Sequence, residues 1–225
     1  MSESAPYVRN RVYTYLRQAI VSGDLHGGAR LVEDRLSEDL QVSRTPVREA
    51  IQRLISEGLV IRVRRGHVEV RHVDQEERNQ LHELRLAFDE VAATLITGNA
   101  ESIDWDSLYM KLDDLEKACR QYGIGSSQAA ISHFELHSAI NTAAFKHGVA
   151  SLIGQGFLYI IDPAAQPDDY DPVSEHRYLL DELRSGDLGR ATSAMRQHAV
   201  LKQAAPVRAG RQSRSAGEGG LTIFR

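Results

Sequence analysis

Two groups of residues in this 225-residue chain have types and spacings suited to chemistry. The first is the run His133-Phe134-Glu135-Leu136-His137. Residues four apart on an α-helix share a face, offset by about 40° at roughly 3.6 residues per turn, so both imidazoles can meet one ion. His176 and His198 are further candidates, because a helical bundle can collect ligands from separate helices. Neutral imidazole suits zinc, nickel and similar ions. For any one histidine the plainer reading is a surface or hydrogen-bonded core residue. The second group is Arg44, Thr45 and Arg48. A guanidinium is a planar fork that pairs with guanine O6 and N7 or grips a phosphate, although a single arginine more often sits on a solvated face.

The elements that must carry these residues are legible from period and punctuation. Val8, Val12, Tyr15, Leu16 and Ala19 form one stripe of a helix over about 7–22. A short helix starts near Glu33, with acids in its first turn and Leu36 and Leu40 inward. After a turn at 41–43, Ser43 is a good N-cap for a third helix with Pro46 in its first turn. Its inward face is Val47, Ala50, Ile51 and Leu54, and its outward edge runs from Arg44, Thr45 and Arg48 to Gln52. Beyond Gly58 the period changes: Ile61 and Val63, then Val68 and Val70, alternate as two half-exposed strands around Arg64, Arg65 and Gly66.

Three helices followed by a hairpin predict a winged helix-turn-helix over 1–72, whose third helix enters the major groove of DNA. Arg44 and Arg48 are the expected groove residues, and Thr45 the expected contact to a phosphate or base edge. Arg35, Arg65, Gly66 and His67 are expected at the backbone or minor groove.

From Asp74 to about Ala205 the signals are helical, which predicts an all-α bundle over 73–205 and a mainly α chain. Leu81, Leu84, Phe88, Val91, Ala92 and Leu95 mark its first helix, closed by Gly98. Further helices are expected over 104–122, 127–145, 150–161, 172–185 and 188–204, with an irregular connection around Pro163, Pro167 and Pro172. Residues 206–225, rich in Gly, Ser and Arg, read as a flexible tail.

The run Leu36-Ser37-Glu38-Asp39-Leu40-Gln41-Val42-Ser43-Arg44-Thr45-Pro46-Val47-Arg48-Glu49-Ala50 closely resembles the DNA-binding signature of GntR-type regulators, and its flanks from Ile20 to Leu25 and Leu54 to Val60 fit it too. The resemblance implies a homodimer on a palindromic operator, acting as a repressor controlled by an effector. Arg35 falls where the family's basic residue is slightly displaced. Further on, Arg85 to Ala93, the His137 region and Glu175-His176 through His198 resemble the helical effector domain (FCD) of the FadR subgroup. Many members hold a divalent metal there with an aspartate or asparagine and three histidines. His137, His176 and His198 match those histidines, and His133 stands where the carboxylate or amide usually is. The resemblance also implies a small carboxylate effector, with Arg85 as its partner; a surface ion pair of Arg85 with Asp89 is the competing reading.

Bulk composition narrows the class. The net charge of -4 hides an asymmetry: 12 arginines face 9 acids in residues 1–72, whereas 11 basic groups face 21 acids in 73–205. A basic unit on an acidic body can hold a phosphate backbone. No run approaches the roughly 20 apolar residues that span a bilayer, and no signal peptide is apparent, which predicts a cytoplasmic protein. The only cysteine, Cys119, reads as a plain buried thiol. A metal-dependent enzyme is disfavoured: Phe134 occupies the place of a zinc-protease glutamate, and no nucleotide-binding loop or nucleophile elbow is present. A regulator that senses the metal ion itself would use the same histidines, and an architectural DNA binder the same arginines.

Overall fold

The computed structural model describes residues 5–63, 67–145 and 170–200. Arg65 and Gly66, the helix expected over 150–161, the prolines 163 and 167 and the tail at 206–225 lie outside the described residues. The chain divides into two compact units between His72 and Val73.

In the first unit α1 (Ala5–Val21), α2 (Glu33–Asp39) and α3 (Arg44–Ser56) carry a small sheet of β1 (Arg30–Leu31), β2 (Val60–Arg62) and β3 (Val68–Val70). α1 packs on α3, and Val12 and Leu16 of the one and Val47, Ile51 and Leu54 of the other are all essentially without solvent contact. Ser43 occupies the N-cap of α3 in an extended conformation, but its hydroxyl makes no capping hydrogen bond. The helix ends at Glu57, and Gly58 supplies the left-handed turn (φ 73°) into β2.

The sheet is antiparallel, in the order β1-β3-β2, with Val60 opposite Val70 and Arg62 opposite Val68. β1 pairs Leu31 with Val68 and is too short to have shown a period in the sequence. The inward register of β2 also differs from expectation. Val60 is buried and Ile61 is 38% exposed, since a one-residue shift of a strand exchanges its two faces. The Val63 amide donates to the His67 carbonyl, closing the base of the hairpin.

The second unit is helical among the described residues: α4 (Gln75–Thr97), a one-turn 3-10 helix (Ala100–Ser102), α5 (Trp105–Tyr122), α6 (Ser127–Ala144), α7 (Pro172–Arg184) and α8 (Leu188–Val200). Asp74, Asp104, Ser126 and Asp171 each accept a backbone N–H in the first turn of the helix that follows, which fixes where α4, α5, α6 and α7 begin. The core joins Ile96, Leu112, Leu115, Leu136, Leu180 and Leu183. No described helix is long and apolar enough to cross a membrane.

α4 departs from its expected orientation. Leu84, Val91 and Leu95 are exposed (52%, 49% and 37%), whereas Arg85, Asp89, Ala92, Ala93 and Ile96 are buried. Of the expected stripe, Phe88 and Ala92 pack on the core and Leu84, Val91 and Leu95 do not, so the covered face is rotated toward Arg85, Asp89 and Ile96. Cys119, expected to be buried, is half-buried.

Candidate functional site

The bundle brings together all four histidines singled out from the sequence. His133 and His137 project from successive turns of α6, His176 from α7 and His198 from α8, and all four are buried. His137 Nε2 lies 3.3 Å from His133 Nε2, 3.1 Å from His176 Nε2 and 3.2 Å from His198 Nε2. One ligand atom from each ring lies within 4.8 Å of all the others. Metal–nitrogen bonds of about 2.0–2.1 Å put neighbouring donors of a tetrahedral ion roughly 3.3 Å apart, close to these separations.

The outer ring nitrogens decide what the inner ones present. His176 Nδ1 faces the Pro172 carbonyl oxygen at 2.6 Å, and His198 Nδ1 faces Glu175 Oε1 at 2.9 Å. Both oxygens accept, so both Nδ1 atoms carry the hydrogen, and each ring in its neutral form turns an Nε2 lone pair toward His137. His137 Nε2 can supply at most one hydrogen to two such lone pairs. A shared cation satisfies all of them, and an imidazole backed by a carboxylate or carbonyl is the usual form of a metal ligand. The donor set therefore fits a divalent metal ion held by His133, His137, His176 and His198.

Residues that sequence reasoning did not assign surround this cluster. Glu175 backs His198; it adjoins His176, but no period distinguished it from other acids. Asn141 is buried one turn beyond His137 on the same face of α6, a spacing that could have flagged it. Burial and the adjacent Glu175 carboxylate push the Tyr170 phenol well above its ordinary range, while Arg85 pulls the other way. Arg85 donates from Nε to Asp89 Oδ2 at 3.3 Å with both side chains 6% exposed, so the ion pair of the competing reading forms, but buried and not at the surface.

In the first unit α3 presents Ser43, Arg44, Thr45 and Arg48 on one exposed edge, with Pro46 half-buried in its first turn. Arg48 donates from Nε and Nη2 to Glu33 Oε2 at 3.0 and 2.9 Å. Arg44 Nε lies 3.0 Å from Asp34 Oδ1. Arg35 is 82% exposed at its side chain and lies 3.8 Å from Asp39 on its own helix, apart from Arg44 and Arg48 in its pairing. His67 meets Arg30 of β1, a residue the sequence did not single out.

Comparison with known proteins agrees with this arrangement. Residues 8–70 match the family model described as bacterial regulatory proteins, gntR family. The chain is 25% identical over 205 residues to the HTH-type transcriptional regulator YdhC of Bacillus subtilis, covering 89% of each. It is 35% identical over 79 residues to the gluconate operon transcriptional repressor of Bacillus licheniformis, covering 35% of this chain and 32% of that one. Among solved structures it shares the fold of McbR/YncC from Escherichia coli, with a TM-score of 0.67 at 22% identity, over 89% of this chain and 98% of that one. These proteins are regulators, not enzymes. Residues 8–70, with Arg44, Thr45 and Arg48 on the exposed edge of α3, thus form a helix-turn-helix unit of the gntR type of bacterial regulatory proteins.

Proposed function

We propose that the protein is a repressor that binds a palindromic operator as a homodimer in the cytoplasm, its affinity set by a small carboxylate bound beside a divalent metal. Residues 1–72 form the DNA-binding domain and residues 73–205 the effector domain. The observation that carries the sensing half is the convergence of four buried imidazoles on one point, two of which, His176 and His198, are oriented through Nδ1 so that Nε2 faces His137. His133, His137, His176 and His198 hold zinc or nickel, and the ion supplies a Lewis-acidic centre for a carboxylate oxygen. Arg85, buried in the same domain, is the guanidinium partner of that carboxylate, with its Nε positioned by Asp89.

DNA reading rests on Arg44, Thr45 and Arg48, with Ser43 and Pro46 setting the start of α3. Arg35, Arg65, Gly66 and His67 contribute contacts to the sugar-phosphate backbone or minor groove. A homodimer is supported by the apolar stripe Leu84-Val91-Leu95, which one chain leaves exposed, and by the half-turn of DNA that one recognition helix spans.

The test combines metal analysis of the purified protein with operator titrations in the presence of small carboxylates. Bound metal and an operator affinity that responds to a carboxylate are expected. Metal-free protein, or an affinity indifferent to every carboxylate, refutes the sensing half. A second reading is a metal-sensing regulator, favoured by the four neutral donors, which include no carboxylate ligand. In that case operator affinity follows added zinc or nickel alone.

A further inference from the structure

Both recognition arginines are held by carboxylates on α2. Arg48 is gripped by Glu33 through two nitrogens, and Arg44 is paired with the adjacent Asp34. The arginine side chains are 61% and 65% exposed, and pairs this exposed contribute little to stability. Acids in a first turn also suit the positive end of a helix. That preference is satisfied anywhere in the turn, and it does not require both carboxylates to reach across to α3.

What the arrangement changes is the charge that a duplex meets. Before Arg44 or Arg48 can grip a phosphate, the guanidinium must leave a carboxylate, and the carboxylate left behind repels the DNA backbone. Both costs fall on every duplex alike. A phosphate can return two hydrogen bonds to the guanidinium but brings its negative charge against the released carboxylate, whereas a guanine O6/N7 edge returns two without that repulsion. The bidentate grip also fixes the direction in which Arg48 leaves α3.

We propose that Glu33 and Asp34 are specificity-determining residues, which position Arg48 and Arg44 along α3 and set a threshold that non-operator phosphate does not meet. This rests on the reading of α3 as the base-reading helix.

The test uses the full chain and its Glu33→Gln, Asp34→Asn and double variants. Each is titrated against an unselected random duplex pool and against duplexes that the parent enriches from that pool, at several salt concentrations. The double variant is expected to bind the unselected pool more tightly and to lose discrimination between the two. Two exposed pairs of ordinary strength correspond to a roughly 2- to 30-fold change. The slope of log affinity against log salt for the unselected pool steepens by up to about 0.9 for each carboxylate removed. Glu33→Asp, which keeps the charge, retains the parent's slope. An unchanged discrimination ratio overturns the proposal, whether or not the slope moves. Failure of α3 as the base-reading helix is a separate outcome: it is shown by a parent that enriches no sequence, or by an Arg44→Ala/Arg48→Ala variant that binds the enriched duplexes as tightly as the parent.

Discussion

Replacing Glu175 with Gln keeps the size of the side chain and removes the charge 2.9 Å from His198 Nδ1. If the four imidazoles hold a metal, that carboxylate orients His198 and raises the basicity of its inner nitrogen. Outer partners of this kind are worth about 10- to 100-fold in metal affinity, or about 1.4 to 2.7 kcal/mol. At a metal concentration 1,000 times the parent's dissociation constant, binding stabilises the fold by about 4.1 kcal/mol. A 100-fold weaker variant retains about 1.4 kcal/mol under the same conditions. The difference lowers the midpoint of the metal-loaded protein by roughly 5–10 °C for a unit of this size. The assay pairs competition against a chelating dye, for zinc and for nickel, with thermal unfolding before and after chelator treatment. The metal-loaded proteins are expected to differ more than the chelator-treated ones. A variant that binds both ions as tightly as the parent, and melts with it when loaded, refutes the assignment of Glu175 and weakens the case that the histidine orientation reflects a metal.

Leu84→Glu with Val91→Glu places two charges on the exposed stripe of α4 and is expected to convert a dimer to monomers with little change in helicity, as read by light scattering and circular dichroism. Gln41 holds a left-handed conformation (φ 52°) in the turn before α3; Gln41→Gly relieves a strain of about 1 kcal/mol and raises the denaturation midpoint of the first unit, unless the greater freedom of glycine in the unfolded chain cancels it. Tyr13, which donates to Glu57 Oε1 at 2.6 Å, is pushed up to about 12 by burial and by that carboxylate. Its folded value lies above the ordinary 10.0, so the stability it contributes is complete below about pH 10 and is lost as pH rises through about 12. Tyr13→Phe removes this alkaline loss, which denaturant unfolding across that range measures.

The first unit was legible because each of its signals is local. Ser43 and Pro46 mark the start of α3, and the spacing of Val47, Ala50, Ile51 and Leu54 fixes which side faces inward and hence that Arg44 and Arg48 face outward. β1 was not legible, since two residues carry no period. Nor were the partners of the arginines: that Glu33 and Asp34 reach α3 depends on how α2 crosses it, which no spacing along one segment encodes. The four histidines could be nominated singly, and two of them by their i, i+4 spacing. Their convergence depended on the family resemblance, because α6, α7 and α8 must fold before residues up to 65 positions apart in sequence meet.

α4 shows why periodicity succeeded in finding a helix and failed to orient it. The stripe of Leu81, Leu84, Phe88, Val91, Ala92 and Leu95 is regular enough to define the helix, and the usual inference places all of such a stripe against the core. That inference assumes a helix with one buried face. Here the face turned into the bundle carries Ala92, Ala93 and Ile96 together with the Arg85–Asp89 ion pair. A buried ion pair is costly to desolvate, and apolar residues of similar shape often serve stability better. A helix that buries this ion pair while leaving Leu84, Val91 and Leu95 exposed is therefore poorly explained by the stability of a single chain. The proposed function would account for both features: a carboxylate site calls for Arg85 on one side, and a homodimer interface would cover Leu84, Val91 and Leu95 on the other.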